Sequence, residues 1–123
     1  MLALQISVRK SGDVTVLDLR GKLTIHDESE LLDAHLERLT AAGDRRLLLN
    51  LAELTQIDSS GISVIVGHCT RLRRRDGDLK LLSPTRHVLE VMKALHLLKA
   101  ISGFTNEAEA LASFRSFGLA AKL

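Results

Sequence analysis

The chain has 123 residues, of which 46% are hydrophobic and 26% are charged, and its formal net charge is +2. This length and balance predict one globular domain, residues 1–123, whose core is large enough to form without disulfides. The small charge and the absence of Tyr and Trp argue against nucleic-acid binding, which uses basic surfaces and aromatic platforms. A single cysteine, no signal peptide and no apolar run of about 18 residues predict a cytoplasmic protein that is not inserted in a membrane.

The N-terminal third of the chain predicts a β-hairpin followed by a helix. Residues 4–8 and 14–19 alternate in side-chain polarity, and the polar turn at residues 10–13 separates the two runs. A loop is expected at residues 24–27. Residues 28–42 then carry leucines at helical spacing, and a glycine follows as a natural C-terminal stop.

The middle of the chain predicts a buried strand that passes directly into a helix. Residues 47–51 form a nearly unbroken apolar run, which is typical of a strand buried on both faces, although periodicity alone leaves a buried helix segment open. After Gly61, apolar residues recur at the spacing of an amphipathic helix: Ile62, Ile65, Cys69 and Leu72. We expect Ser59 to be the N-cap, its hydroxyl accepting a hydrogen bond from a backbone N–H of the first turn. A phosphate on Ser59 would then face free N–H groups and the positive end of the helix dipole.

The C-terminal part continues the alternation of helices and strands. The middle helix ends in a cluster of arginines, a favourable place for cations beside the helix dipole: Arg71, Arg73, Arg74 and Arg75. Strands are expected at residues 79–82 and 98–101, and between them a helix with Ser83 as N-cap and Pro84 at its first position. Asn106 is expected to cap a final helix. This order predicts an α/β domain with a mixed, mostly parallel sheet of about five strands, one of them antiparallel, and about four helices.

The sequence lacks the motifs of catalytic and metal sites. None of the five histidines is spaced as H-x-x-x-H or H-E-x-x-H, so surface or hydrogen-bonded core positions are expected for His26, His35, His68, His87 and His96. Cys69 lies on the apolar stripe and is expected to be a buried, unreactive thiol. No residue is placed by sequence to activate Ser59 as a nucleophile, and there is no glycine-rich phosphate loop. We therefore predict no enzyme activity, no metal site and no cofactor.

Residues 49–62, which read LNLAELTQIDSSGI, resemble the signature of the STAS domains of anti-sigma factor antagonists. In that family a strand with the pattern LxL leads to a DSSG loop that opens a helix. The first serine of the loop is phosphorylated in the sporulation and stress-response members. The resemblance covers nearly the whole chain and implies a STAS-like fold with Ser59 as the phosphorylation site. It also implies a partner-binding surface made of Thr24, Asp58, Ser59, Ser60, Gly61 and Ile62.

The resemblance further implies a bacterial partner-switching cycle that regulates transcription. The unmodified protein would bind an anti-sigma factor that is itself a serine kinase, and so free a sigma factor. Phosphorylation of Ser59 by that kinase would end the complex, and a serine phosphatase would restore it.

One position departs from the family pattern. Phosphorylated members often carry an aspartate after the G-x-L of the second strand, whereas Gly21-Lys22-Leu23 is followed here by Thr24. If that aspartate helps the kinase to engage the serine, its absence leaves open whether the kinase recognises Ser59. Some stand-alone STAS domains that resemble this one serve as subunits of larger assemblies, which gives an alternative function. The protein would then be a non-phosphorylated subunit of a larger assembly, such as a lipid-transport ATPase or a signalling complex.

Overall fold

The computed structural model describes residues 3–24 and 27–122, with side chains described as far as Phe114. The strands are β1 (Leu4–Ser11), β2 (Val14–Leu23), β3 (Arg46–Ile57), β4 (Asp78–Leu82) and β5 (Gly103–Phe104). The helices are α1 (Asp27–Ala41), α2 (Ser59–Arg73), α3 (Arg86–Ala94) and α4 (Glu107–Lys122), with a short 3₁₀ helix at Leu97–Lys99. Strands and helices therefore alternate after an initial hairpin, as the sequence predicts.

Within the described residues, a five-stranded sheet follows the chain order β1-β2-β3-β4-β5. β1 and β2 are antiparallel, and each of the other neighbouring pairs is parallel. The register between β2 and β3 shifts twice, between Asp18 and Arg20 and between Gly21 and Lys22, and each shift skips one residue of β3. Leu23 then lies opposite Ile57 at the ends of the two strands. The prediction of a mixed, mostly parallel sheet is confirmed. The register also places the ends of β2 and β3 side by side.

The sheet is covered by helices on both faces. One core joins α1, α2 and α3 to one face, and its members include Leu36, Ile65 and Met92. On the other face, Ala110 and Phe114 of α4 pack against a smaller group of strand side chains: Val14, Val16, Leu48 and Leu82. Because β3 is buried on both faces, its sequence is almost continuously apolar from Leu47 to Leu51.

The predicted boundaries of α1 and α4 agree with the structure to within one residue or by their caps. α1 starts at Asp27, one residue before the predicted start, so the last residue of the predicted loop at 24–27 is helical. Residues 25 and 26 of that loop lie outside the described residues. Asn106 caps α4 as predicted, because its Oδ1 accepts a hydrogen bond from the backbone N–H of Glu109 at 3.0 Å.

Among the residues that the structure describes, no helix is long and apolar enough to cross a bilayer.

The predicted start of α3 at Ser83-Pro84 is wrong. Thr85 is the N-cap, and its hydroxyl donates to the Leu54 carbonyl at 2.8 Å instead of capping the helix. Ser83 has a φ of 50°, and its backbone N–H donates to the Phe104 carbonyl at 2.7 Å. Pairing with the end of β5 therefore holds Ser83 outside the helix, and the helix begins later than the Ser-Pro pair suggests.

The predicted strand at residues 98–101 is also wrong. A 3₁₀ helix occupies Leu97–Lys99, and the fifth strand is the two-residue segment Gly103–Phe104, which pairs with Leu81 and Leu82. Leu98 still packs against the core, and Ile101 is buried within it. A short apolar run can be buried either as a helical turn or as a strand, so hydrophobic periodicity could not distinguish the two.

Arg9 of β1 connects the start of α4 to the sheet through hydrogen bonds. Its guanidinium donates hydrogen bonds to Asp18 at 2.8 Å and to Glu107 at 3.1 Å. Asn50 also donates to Asp18, at 2.8 Å. The hydrogen bonds from Arg9 lower the pKa of Asp18 and of Glu107, and this effect outweighs their partial desolvation.

We expect Arg9→Gln to reduce the free energy of unfolding at neutral pH by up to about 1 kcal/mol, since the three side chains are partly solvent-screened. Both carboxyl groups have folded pKa values below their ordinary values of about 4, so the stabilisation is complete above that pH and is lost at lower pH. Urea unfolding of wild type and variant from neutral pH to about pH 3 measures this. Lys99→Gln, which removes one exposed charge elsewhere, is the control. If the free energy of unfolding of wild type exceeded that of Arg9→Gln by the same amount down to about pH 3, the proposed role of these carboxylates would be contradicted.

Candidate functional site

Asp58, the residue directly after β3, caps α2. Its backbone is extended, and its N–H donates to the Leu23 carbonyl at the end of β2, at 3.2 Å. Its Oδ1 accepts hydrogen bonds from the backbone N–H groups of Ser60 at 3.0 Å and of Gly61 at 3.3 Å. The prediction of Ser59 as the N-cap is therefore wrong. Ile57 is the last residue of β3 paired with β2, and so the next residue takes the non-helical backbone angles of a cap.

The two serines of the loop have different environments. Ser59 is the first helical residue and is exposed, and its hydroxyl has no hydrogen-bond partner among the described residues. Ser60 is half-buried, and its hydroxyl donates to Asp58 Oδ1 at 2.5 Å. Ser59 thus offers an accessible hydroxyl, whereas the hydroxyl of Ser60 is engaged. Asp58 already accepts the N–H groups of Ser60 and Gly61, so a phosphate on Ser59 would compete with the Asp58 carboxylate for these two groups.

Thr24 lies at the same edge of the sheet as Asp58. It follows Leu23, just as Asp58 follows Ile57, and Leu23 and Ile57 pair across β2 and β3. Thr24 is half-buried, and its hydroxyl donates to Glu28 of α1 at 3.3 Å. The first turn of α1 is acidic, with Asp27, Glu28 and Glu30. The hydrogen bond between Thr24 and Glu28 therefore connects this edge of the sheet to the acidic start of α1.

Two of the predicted partner-binding positions face inward. Ile62 is only 7% exposed and belongs to the core. Gly61 is buried, and a Cβ there would lie 2.6 Å from Leu23 Cγ and 2.8 Å from the Leu23 carbonyl oxygen. Both residues fix α2 against the end of β2. The solvent-facing part of the predicted surface therefore consists of Thr24, Asp58, Ser59 and Ser60.

The family pattern of STAS domains matches residues 5–110 of this chain, which include both strand ends, the loop and α2. The chain belongs to the STAS domain family. A relative with 31% identity over 113 residues is BtrV of Bordetella bronchiseptica, a candidate anti-sigma factor antagonist, and the match covers 92% of this chain and 97% of BtrV.

Solved structures share the fold of this STAS domain. The unphosphorylated form of the anti-sigma factor antagonist SpoIIAA superposes with a TM-score of 0.76 at 25% identity, covering 93% of this chain and 97% of SpoIIAA. The phosphorylated form of Bacillus SpoIIAA has a TM-score of 0.68 at 24% identity, covering 90% of this chain and 98% of that one. The predicted STAS-like fold is confirmed.

The arginine cluster lies at the far end of α2 from Ser59. Arg71 Nη1 lies 3.6 Å from Glu37 Oε1, and Arg73 Nε lies 3.0 Å from Asp78 Oδ1. Cys69, between these arginines and Ser59, is buried as predicted, and desolvation raises the pKa of its thiol. The STAS domain therefore does not bring the arginines or the thiol to the loop.

The described histidines occupy both kinds of position expected from the sequence. His87 and His96 are exposed, and His35 Nδ1 lies 3.0 Å from the Leu31 carbonyl oxygen. His68 is buried, with its Nε2 2.6 Å from Asp33 Oδ1. His26 lies outside the described residues. The contact between His68 and Asp33 had no sequence signal, because 35 positions separate the two residues in the chain.

Proposed function

We propose that this STAS domain is an anti-sigma factor antagonist whose binding is switched off by phosphorylation of Ser59. The observation that carries the proposal is the exposed hydroxyl of Ser59 at the first position of α2, within the family's DSSG sequence. Membership of the STAS family and similarity to candidate and known anti-sigma factor antagonists support it. For SpoIIAA, both an unphosphorylated and a phosphorylated form have been solved.

The partner that we propose is an anti-sigma factor with serine kinase activity. It would contact the edge formed by Thr24, Asp58, Ser59 and Ser60, while Gly61 and Ile62 support this edge from behind. A kinase must reach the hydroxyl that it modifies, and Ser59 is exposed. A serine phosphatase would reverse the modification. The protein itself would act by binding and release, and not as an enzyme.

The physical basis of the switch is the cost of burying a phosphate. A phosphoserine carries about −1.5 to −2 charges at neutral pH. On Ser59 it would lie beside the Asp58 carboxylate, which already accepts the helix N–H groups of Ser60 and Gly61. The phosphate would therefore depend on water for its solvation.

A partner that closes over the modified loop must remove that water, at a cost of several kcal/mol for an ion without a good partner. A difference of about 4 kcal/mol between the modified and unmodified complexes corresponds to roughly a thousandfold change in affinity.

We expect the partner kinase to place phosphate on Ser59 and not on Ser60, because the Ser60 hydroxyl is half-buried and donates to Asp58. Mass spectrometry of the kinase-treated protein measures the position. Ser59→Ala should abolish the modification, and Ser60→Ala should at most slow it. Ser63→Ala, at another exposed serine of α2, is the matched control and should be modified like wild type. Phosphate that persists in Ser59→Ala and disappears in Ser60→Ala would assign the switch to the second serine.

A further inference from the structure

Three metal-ligating side chains converge where α1 packs against α2. Asp33 and Glu37 are four residues apart on α1 and so share a face of that helix. His68 projects from α2, and its side chain is only 3% exposed. Its Nε2 lies 2.6 Å from Asp33 Oδ1 and 4.0 Å from Glu37 Oε1. One imidazole nitrogen and two carboxylate oxygens thus all lie within 4.8 Å of one another.

This donor set and its spacing fit a divalent transition-metal ion. Ligand atoms about 2.0–2.1 Å from a tetrahedral Zn²⁺ are roughly 3.4 Å apart, between the 2.6 Å and 4.0 Å separations seen here. The Asp33 and Glu37 side chains are 47% and 56% exposed, so both can adjust by small rotations. Burial holds the imidazole in place, already directed at the carboxylates. An imidazole ligand favours Zn²⁺, Co²⁺ or Ni²⁺ over Mg²⁺ and Ca²⁺, which prefer oxygen.

We propose that Asp33, Glu37 and His68 bind a divalent transition-metal ion, with water completing its coordination. His68 is nine residues from Ser59 along α2, or about 13 Å at the helical rise, so the site is separate from the proposed switch. Its ligands come from two helices, and a bound ion would link α1 to α2. This proposal stands independently of the proposed function, and it departs from the sequence-based expectation of no metal site.

One neighbouring charge opposes the ion. Arg71 Nη1 lies 3.6 Å from Glu37 Oε1, and the Arg71 side chain is 55% exposed. The guanidinium competes with the metal for the Glu37 carboxylate. Removing this charge should therefore tighten metal binding, an effect opposite in sign to the loss of a ligand.

Isothermal titration of the full-length, untagged protein with Zn²⁺ tests the site, with Co²⁺ absorption as a second probe. Neutral to mildly alkaline pH suits the titration, since imidazole binds metal in its neutral form. We expect one ion per chain. The affinity should be at least about tenfold weaker in the ligand variants Asp33→Asn, Glu37→Gln and His68→Gln. It should be higher in Arg71→Gln. His87→Gln, at an exposed histidine elsewhere, should bind like wild type.

Glu37→Gln keeps the test valid if the buried His68 variant does not fold, because Glu37 is exposed. The absence of saturable binding in wild type overturns the proposal. So does binding that is unchanged in both Asp33→Asn and Glu37→Gln, which would place the ion elsewhere.

Discussion

Gly61→Ala will reduce the free energy of unfolding by about 1–3 kcal/mol, although alanine is the better helix former. The new Cβ would lie 2.8 Å from the Leu23 carbonyl oxygen and 2.6 Å from Leu23 Cγ. The carbonyl belongs to the backbone of β2 and accepts the N–H of Asp58, so it cannot move away without disturbing the cap. Urea denaturation of the purified domain measures the loss.

Gly67→Ala is the matched control, since it is the same substitution two turns further along α2. Among the described residues, the contact nearest to a Cβ at Gly67 is the Arg71 guanidinium, at 3.8 Å. Only the helix propensity then changes, and we expect stabilisation by roughly 0.5–1 kcal/mol. If both variants were stabilised to the same extent, the close packing of α2 against the end of β2 would not be a constraint on this fold.

Ser59→Asp will weaken binding to the partner anti-sigma factor by at least about tenfold, which corresponds to 1.4 kcal/mol. The carboxylate puts part of the charge of a phosphate on an exposed position that the bound partner would cover. Ser59→Ala should bind like the unmodified protein and resist release. Isothermal titration compares the three forms.

Ser63→Asp controls for a general effect of negative charge on α2, because Ser63 is also exposed and lies one turn beyond the loop. Its affinity should stay close to that of wild type. Equal losses in Ser59→Asp and Ser63→Asp would indicate a diffuse charge effect and argue against a switch at the loop.

The order of strands and helices was predictable because hydrophobic periodicity reports burial directly. The run at residues 47–51 indicated a strand buried on both faces, and β3 is one. Helix starts were less predictable, since two adjacent residues can both be good caps. Asp58 and Ser59 are such a pair, and the pairing of Ile57 with Leu23 across the sheet decides between them. Pairing between strands also explains the error at Ser83, because the backbone N–H of Ser83 donates to Phe104, which is far away in the chain.

The site was predictable to the extent that it is local in sequence. Residues 58–61 were recognisable as the junction between a strand and a helix, and the family resemblance points to Ser59 as the phosphorylation site that we propose. The inward orientation of Gly61 and Ile62 could not be read from the motif, because it depends on contact with Leu23. The cluster of Asp33, Glu37 and His68 could not be predicted from the sequence, since it forms only when α1 packs on α2.

The most direct test of the proposed switch is isothermal titration of the partner anti-sigma factor with two preparations of wild-type protein. One preparation is unmodified, and the other is phosphorylated on Ser59 and verified by mass spectrometry. We predict tight binding of the unmodified protein and affinity lower by roughly a thousandfold after phosphorylation, from the cost of desolvating the phosphate. Equal affinity of the two preparations would contradict the account.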